Sequence, residues 1–212
     1  GLLLSVMMGK LKKEYGIGII LVLCLVDMWT VNKRYLNDAM FVSKSVREAP
    51  MQKSEAIDHI LQDKSLDYRV LNLSTSTFNE NETSFYLKSI GGYHPAKLRR
   101  YQELIDAHIQ PEMQHLYGAL SKAAGDMTQV NGDSIFPVLN MLNTKYFILP
   151  LQGGRSVPLE NPYTYGNAWF VDKVHYVDNA NQELDITGKL PLRHEAVADK
   201  KFQQQLGEAV VQ

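Results

Sequence analysis

The sequence predicts an α/β or α+β layered domain that is preceded by the end of a transmembrane helix bundle. A run from Gly16 to Val31, with Asp27 as its one charged residue, is too apolar for the surface helix of a globular protein. From about Ala39 onward, strand and helix patterns alternate along enough chain for one domain with its own core. We therefore expect a partial transmembrane region over 1–38 and an extracytoplasmic domain over 39–212.

The length and the flanks of the apolar run are those of a short membrane span. At a rise of about 1.5 Å per residue, Gly16 to Val31 covers roughly 24 Å of a hydrocarbon core about 30 Å thick. Three basic residues precede the run, namely Lys10, Lys12 and Lys13. Trp29 and Tyr35 lie where an interfacial belt of aromatic residues is expected. Because basic flanks stay in the cytoplasm, the domain that follows is expected on the outer side.

The residues before this span predict a larger, multi-pass protein. Leu2 to Met8 is apolar like the tail of a preceding span, and the short segment Gly9 to Tyr15 would join the two spans. The chain begins with Gly1 rather than Met. We therefore interpret it as a fragment, and we expect its domain to be incomplete at the C-terminus.

Two other interpretations of the apolar run stay open. In a secretory signal peptide, Lys10 to Lys13 would be the basic region and Ile17 to Val26 the hydrophobic region, but no small-residue cleavage site follows. A buried core helix of a soluble protein carries apolar runs of similar length. Asp27 is either a functional group inside the span or a hydrated residue at its outer boundary.

The composition narrows the classes of function. Hydrophobic residues make up 45% of the chain and charged residues 21%, which are ordinary values for a globular protein. The formal net charge of -1 lacks the basic surplus of nucleic-acid-binding proteins, so we expect no nucleic acid as a partner. Cys24 is the one cysteine and lies in the proposed span, which leaves the domain without disulfides or thiolate ligands. His94, His108 and His115 do not share one helix face, so we predict no metal site and no cofactor.

The first elements of the domain follow from caps, prolines and periodicity. Ser54 can cap a helix that runs to about Lys64, and Tyr68 to Leu73 has the composition of a strand. Pro95 suits the first position of a helix whose apolar residues fall on one face. Pro111 predicts the start of another helix, which Gly125 would end.

The remaining elements are shorter. Ile135 to Leu142 predicts a short helix, and Lys145 to Leu149 predicts a strand that Pro150 interrupts. One or two further strands are expected between Trp169 and Val177. We interpret 179–190 and 199–206 as loop or short helix. Strands separated by helices favour an α/β or α+β arrangement.

The loop after the first strand is the candidate binding region, because ligands of open α/β sheets bind beyond the carboxyl ends of the strands. Ser74 to Thr83 is rich in hydroxyl and amide groups, among them Asn79 and Asn81, which suit hydrogen bonds to a sugar or a head group. We expect both asparagines to face such a ligand.

A glycine pair precedes a basic segment further along the chain. Gly91 and Gly92 permit close approach of a backbone, and the predicted helix after them carries Lys97 and Arg100 near its start. A helix N-terminus with cations nearby can hold a phosphate group. The alternative is a tight turn that requires a positive φ, followed by a solvated basic face. The pair lacks the spacing of a nucleotide-binding loop.

Five segments of the chain together resemble the YfhO-type family of bacterial multi-pass membrane proteins. They are Asn32–Leu36, Tyr68–Asn72, Ile90–His94, Met141–Tyr146 and Gly166–Val171. The resemblance covers nearly the whole sequence, and none of the segments is a catalytic signature. It implies an integral protein of the bacterial cytoplasmic membrane, related to GT-C-like glycosyltransferases that use polyprenyl-phosphate sugars and act on envelope polymers. The catalytic carboxylate of such enzymes lies in an early extracytoplasmic loop, so no residue here inherits that role.

On this resemblance, we expect the domain to bind the acceptor polymer or the lipid-linked donor next to the bilayer. The expected ligand contacts are Asn79, Asn81, Tyr93, His94, Lys97 and Arg100. One alternative is a non-catalytic interaction or scaffold domain of the envelope. A further alternative is a soluble hydrolase in which the apolar run is a core helix.

Overall fold

The computed structural model describes residues 8, 12–41, 43–45 and 53–206. The chain divides into two compact units, residues 1–52 and residues 53–212. The predicted preceding span, Leu2 to Met8, lies outside the described residues except for Met8, and so does Lys10. Within the described part, the chain combines helix and sheet, which is compatible with the expected α/β class.

Among its described residues, the first unit contains one long helix. Helix α1 (Lys13–Tyr35) includes the whole predicted span and is followed by a 3-10 turn, Asp38–Met40. Apart from Gly16, every described residue of α1 is exposed. Its length and composition are sufficient to cross a membrane. Glu14 in its first turn and the basic residues in its last turn complement the helix dipole.

The second unit contains eight described helices and two small sheets. The helices are α2 (Glu55–Ile60), α3 (Glu82–Tyr86), α4 (Arg99–Leu104), α5 (Gln110–Lys122), α6 (Gly132–Ile135), α7 (Pro137–Met141), α8 (Ala180–Thr187) and α9 (Gln203–Leu206). The strands are β1 (Arg69–Asn72), β2 (Thr144–Pro150), β3 (Ser156–Glu160), β4 (Lys173–Val177) and β5 (Glu195–Asp199). Short 3-10 turns lie at Met127–Gln129, Gln152–Gly154 and Lys200–Phe202.

The larger sheet has the order β1-β2-β3. Strands β1 and β2 are parallel, with Asn72 opposite Ile148, whereas β2 and β3 are antiparallel. The other edge of β1 is partly covered, because Val70 N donates to the Lys88 carbonyl (2.8 Å) and Ile90 N donates to the Val70 carbonyl (2.9 Å). The predicted strands at 68–73 and 145–149 are therefore confirmed.

The smaller sheet is the parallel pair β4-β5, which α8 connects. One strand in the predicted interval 169–177 and the short helix within 179–190 are confirmed. Strand β5 was not predicted, and it is half-buried along its whole length. The segment 199–206 forms a 3-10 turn and α9.

The residues 99–122 form a continuous helical segment, which corrects two predictions. Helix α4 begins at Arg99, so Pro95 lies in a turn before it rather than at its first position. Pro111 lies in the first turn of α5, as predicted, but α5 is not a separate helix, because a π-helical turn (Ile105–Ile109) leads directly into it. The N–H of Gln110 donates to the carbonyl of Ile105, five residues back. This wider turn accommodates the proline ring, which lacks an N–H, without breaking the helix.

Neighbouring residues of β1 belong to two different hydrophobic clusters. Val70 packs in the cluster that contains α2, while Leu71 packs in the cluster that contains the 99–122 segment. Phe136 and Phe147 are fully buried in the second cluster, with ring centroids 5.6 Å apart in an edge-to-face arrangement. Ser54 caps α2 as predicted, and its Oγ accepts the N–H of Ile57 (3.3 Å). Strands β1 and β2 therefore contribute residues to both buried clusters.

Candidate functional site

The loop after β1 folds back on the end of its own strand. Thr77 Oγ1 donates to the Asn72 carbonyl (2.7 Å), and Asn72 Nδ2 donates to Thr83 Oγ1 (2.8 Å). Asn79 is exposed on this loop, and its N–H donates to the Ser76 carbonyl (2.8 Å). The loop lies at the carboxyl end of β1, as the sequence predicts.

The glycine pair docks on this loop. Gly92 N donates to the Thr77 carbonyl (2.7 Å), and Tyr93 N donates to the Glu80 carbonyl (2.9 Å). A Cβ on Gly91 would lie 2.0 Å from the Thr77 carbonyl oxygen, and Gly92 has a φ of +106°. The two glycines are thus required by the close contact between the two segments. This geometry matches the tight-turn alternative for the pair.

Five backbone N–H groups of the segment 91–97, those of Gly91, Gly92, Tyr93, Ala96 and Lys97, already have protein partners. Gly91 N donates to Ser89 Oγ (3.0 Å), Ala96 N donates to His94 Nδ1 (3.1 Å) and Lys97 N donates to the His94 carbonyl (3.2 Å). A phosphate group at this turn would have to displace these bonds, because anion cradles depend on free N–H groups.

The side chains expected to bind a ligand are placed in two different regions. Asn81 Nδ2 lies 3.0 Å from the carbonyl oxygens of both Glu80 and Tyr93, in the amide orientation that satisfies both. Lys97 Nζ lies 5.4 Å from the ring centroid of Phe78, beside Asn79. The side chains of Asn79, Tyr93 and His94 are exposed on the same docked segments. Arg100 instead lines a separate cleft.

That cleft lies between α4 and α8 and has a volume of about 400 Å³. We call it the α4–α8 cleft. Its lining residues are Arg100, Glu103, Leu104, Met141, Trp169, Ala180, Glu183, Leu184, Thr187, Leu192, Glu195, Ala196 and Val197. Apolar side chains make up most of its wall, and the polar groups are few.

Three carboxylates and one guanidinium give the cleft a negative balance. Glu103 accepts a hydrogen bond from Arg99 Nε (2.8 Å), and Glu195 Oε2 lies 2.5 Å from His175 Nε2. The carboxylate of Glu183 has no hydrogen-bond partner within the described ranges. The cleft therefore offers a free acceptor group beside an apolar surface.

The walls of the α4–α8 cleft are fixed by contacts on both sides. Trp169 Nε1 donates to the Leu192 carbonyl (3.0 Å), and its ring lies 5.1 Å from the ring of Tyr165. On the opposite side, His108 Nε2 is 2.7 Å from the Leu184 carbonyl and joins the helical segment to α8. These bonds hold the indole ring and α8 at a defined separation.

A second cavity of about 360 Å³ lies at the beginnings of β1 and β2. It is lined by Asp67, Arg69, Lys88, Met141, Asn143, Gly166 and Asn167, and we call it the Arg69 pocket. Arg69, Asn143 and Asn167 lie in three of the segments that carry the family resemblance, and no chemistry is predicted for them from the sequence. Only the parallel pairing of β1 and β2 brings these distant positions together, so no local motif signals the pocket.

Glu112 is a buried carboxylate that sequence patterns did not reveal. It is 7% exposed, and its two oxygens accept the N–H groups of Val138 (2.8 Å) and Leu139 (2.9 Å). Both N–H groups lie in the first turn of α7, where they have no partner within the helix. Burial raises the pKa of Glu112 to about 7, although the two N–H bonds oppose this rise. Its geometry is that of a helix cap rather than of a catalytic acid.

Across the described ranges, no group of three or more His, Cys, Asp or Glu side chains is arranged to hold a metal ion. No family model matches the chain, and no curated protein or solved structure is significantly similar to it. The resemblance to the YfhO-type family therefore stays a prediction.

Proposed function

We propose that the second unit is the extracytoplasmic, layered α/β domain of a membrane protein of the YfhO-type, GT-C-like glycosyltransferase class. In this proposal the α4–α8 cleft binds the acceptor, a sugar polymer of the bacterial cell envelope. The observation that carries the proposal is the lining of the cleft, which combines an indole ring, apolar side chains and carboxylates.

The membrane part of the proposal is supported by the surface of α1. A core helix of a soluble protein buries an apolar face, whereas the described residues of α1 are exposed except for Gly16. Exposed apolar side chains on a helix of this length favour a lipid environment. The positive-inside rule then supports an anchor in the cytoplasmic membrane, with the second unit outside.

The sugar part of the proposal is supported by the chemistry of the cleft wall. A sugar ring has an apolar face that can pack on an aromatic side chain, as Trp169 offers, and hydroxyl groups that can donate to carboxylates. Glu183 supplies such a carboxylate, and Arg100 supplies donors for a sugar oxygen.

The charge of the cleft favours the acceptor over the donor. A polyprenyl-phosphate sugar carries phosphate, and Glu103, Glu183 and Glu195 would repel that charge at short distance. A neutral glycan encounters no such repulsion. Arg99 pairs with Glu103, and Arg100 alone does not offset the two remaining carboxylates, so we assign donor binding to another part of the parent protein.

The test is binding of neutral oligosaccharides to the full chain in lipid nanodiscs, followed by fluorescence of Trp169 in a Trp29→Phe background. We expect maltotetraose or chitotetraose to change the emission, and we expect Glu183→Gln to weaken the affinity about tenfold through one charge-assisted hydrogen bond. Glu160→Gln, at the exposed end of β3, is the matched control and should bind like the parent.

Each outcome bears on a separate part of the proposal. Equal weakening by both variants, or stronger binding of polyprenyl-phosphate-glucose than of the neutral glycans, would overturn acceptor binding in the cleft. Membrane insertion without binding of any glycan would favour the scaffold alternative. A chain that stays soluble and monomeric without lipid or detergent would overturn the membrane part and favour the soluble-hydrolase alternative.

A further inference from the structure

We propose that the Arg69 pocket binds an oxyanion, the phosphate or carboxylate group of a small ligand. The inference does not depend on the proposed function, because it concerns a different cavity with the opposite charge. It follows from the hydrogen-bond donors that face the pocket, from the net positive charge of the side chains that line it and from the hydrogen bonds that hold those side chains in place.

The guanidinium of Arg69 is held in place but keeps donors to spare. Its Nη1 donates to the Leu142 carbonyl (2.8 Å), and its backbone N–H donates to the Asn143 carbonyl (2.9 Å). The other guanidinium donors have no protein partner in the part of the chain that the structure describes. A planar guanidinium with free N–H groups matches the two oxygens of a carboxylate or phosphate group.

Lys88 prevents Asp67 from cancelling the positive charge of Arg69. The Lys88 ammonium bonds to Asp67 Oδ1, and this ion pair holds the pKa of Asp67 below its ordinary value. Asp67 is therefore ionised and paired, which leaves the three side chains with one net positive charge. The ammonium also has three N–H donors, so the ion pair does not exhaust its capacity to bind an anion.

Two asparagines complete the wall of the pocket. Asn143 is 8% exposed, and its Nδ2 donates to the Asp67 carbonyl (2.7 Å) and to Asn167 Oδ1 (2.9 Å). The second bond fixes the side chain of Asn167 by its oxygen, which leaves its Nδ2 as a donor. The buried amide of Asn143 thus orients the exposed amide of Asn167. A preorganised binding site requires that its ligand-facing side chains be held in place in this way.

The backbone around the pocket adopts an uncommon conformation at three positions. Asp67, Asn143 and Gly166 have φ angles of 60°, 55° and 79°, in the left-handed region. This region is uncommon for residues other than glycine, although Asn and Asp enter it more readily than most. The conformation turns the three segments toward one cavity, and it adds to the geometric support for a site.

The direct test is a titration of the full chain in detergent micelles at low ionic strength, in a buffer without phosphate. The probes are inorganic phosphate, glucuronate and glucose, and the readouts are calorimetry and the shift of the thermal midpoint. We expect at least one anion to bind and glucose not to bind at this pocket. Arg69→Gln should weaken anion binding at least tenfold, and Arg99→Gln should leave it unchanged.

Arg99 is a matched control, because its side chain is exposed and pairs with Glu103 outside the pocket. Binding of phosphate alone would identify a phosphate group as the ligand chemistry, and binding of glucuronate alone would identify a carboxylate. Lys88→Gln tests the site independently if Arg69→Gln does not fold. The proposal fails if neither anion binds, or if Arg99→Gln weakens binding as much as Arg69→Gln, which would mean a non-specific charge effect.

Discussion

The two parallel strand pairs of the second unit differ in how deeply they are buried. In the β1-β2 pair, Val70, Leu71, Phe147 and Ile148 are fully buried. In the β4-β5 pair, Val177 is the one buried residue, and all of β5 is half-buried. Equal strand topology therefore does not mean equal stability. We expect local opening to begin at β4, α8 and β5, since regions with few buried apolar contacts open at lower free energy.

The α4–α8 cleft lies at the border between these halves, and the Arg69 pocket adjoins it. Met141, at the end of α7, lines both of them. The segment that supplies Gly166 and Asn167 to the Arg69 pocket supplies Trp169 to the α4–α8 cleft. One wall of the cleft thus belongs to the less buried half, whereas the Arg69 pocket lies at the beginnings of the buried strands. A ligand in the cleft should accordingly stabilise α8 more than a ligand in the pocket does.

The largest effect is expected in the buried half, from Gly132→Ala. A Cβ at this buried position would lie 2.3 Å from Tyr163 Cδ2 and 2.7 Å from Phe136 Cζ, so the aromatic core must shift. We expect a loss of about 3 kcal/mol in the free energy of unfolding. Denaturant unfolding of the second unit measures it. Gly118→Ala in α5 is the control, because its Cβ meets nothing within 4 Å, and it should stabilise by about 0.5 kcal/mol.

The next largest effect is a pH dependence that originates at Glu112. Burial raises the pKa of this group from 4.5 to about 7 in the folded state, so the folded state holds its proton more tightly than the unfolded state. The contribution to stability is complete below pH 4.5 and is lost as pH rises toward 7. At about 1.4 kcal/mol per pKa unit, the loss is about 3 kcal/mol.

Glu112→Gln distinguishes the titration of Glu112 from that of the other ionisable groups in the chain. The amide does not titrate, so the slope of stability between pH 4.5 and 7 should flatten in the variant, whatever its absolute stability. Unfolding curves at several pH values in this interval give the slope. An unchanged slope would show that the carboxyl of Glu112 does not titrate here, and that its two N–H bonds outweigh burial.

A moderate effect is expected at the border, from Gly188→Ala. Its Cβ would lie 2.3 Å from Cε1 of His108, the side chain that contacts the Leu184 carbonyl. We expect a loss of about 2 kcal/mol, which should fall below about 1 kcal/mol in a His108→Ala background because the clash is then absent. A double-mutant cycle by thermal unfolding measures this coupling. Additive effects would mean that α8 moves freely relative to the helical segment.

Local sequence patterns correctly predicted the helices and strands that are determined by caps and residue composition. Ser54 marked the start of α2, and the composition of 68–73 marked β1. Pro111 correctly marked the first turn of α5, whereas the π turn that joins α5 to the preceding helix was not predicted. Strand β5 was not predicted from the sequence, because it is half-buried and its apolar run is too short to indicate a strand.

The candidate sites were harder to predict than the fold. The glycine pair was located correctly, but the N–H of Gly91 is bonded to Ser89 Oγ and that of Gly92 to the Thr77 carbonyl, and the local sequence does not reveal these bonds. Arg69 and Asn167 are unremarkable in the sequence because their common cavity depends on the parallel pairing of β1 and β2. Residue type can be read locally, whereas the availability of a donor cannot.

The smallest effects are expected for ion pairs, and one pair from each half tests the contrast in burial. Lys145, on β2, bonds to Asp63 Oδ2 (2.6 Å), and their side chains are 25% and 18% exposed. Lys200, beyond β5, bonds to Asp178 (2.7 Å), with side chains 55% and 65% exposed.

Replacing each lysine by Met removes the charge and keeps the aliphatic chain. Lys200→Met should cost less than about 0.5 kcal/mol, since an exposed pair is well screened by water and salt. Lys145→Met should cost more, because Asp63 also accepts the Tyr146 hydroxyl (2.9 Å) and would lose its cation at a part-buried position. The ion pair lowers the pKa of Asp63, so this contribution is present above pH 3.8 and lost in stronger acid. Equal losses at neutral pH would mean that the two halves screen charge alike, and that the contrast in burial does not extend to their ion pairs.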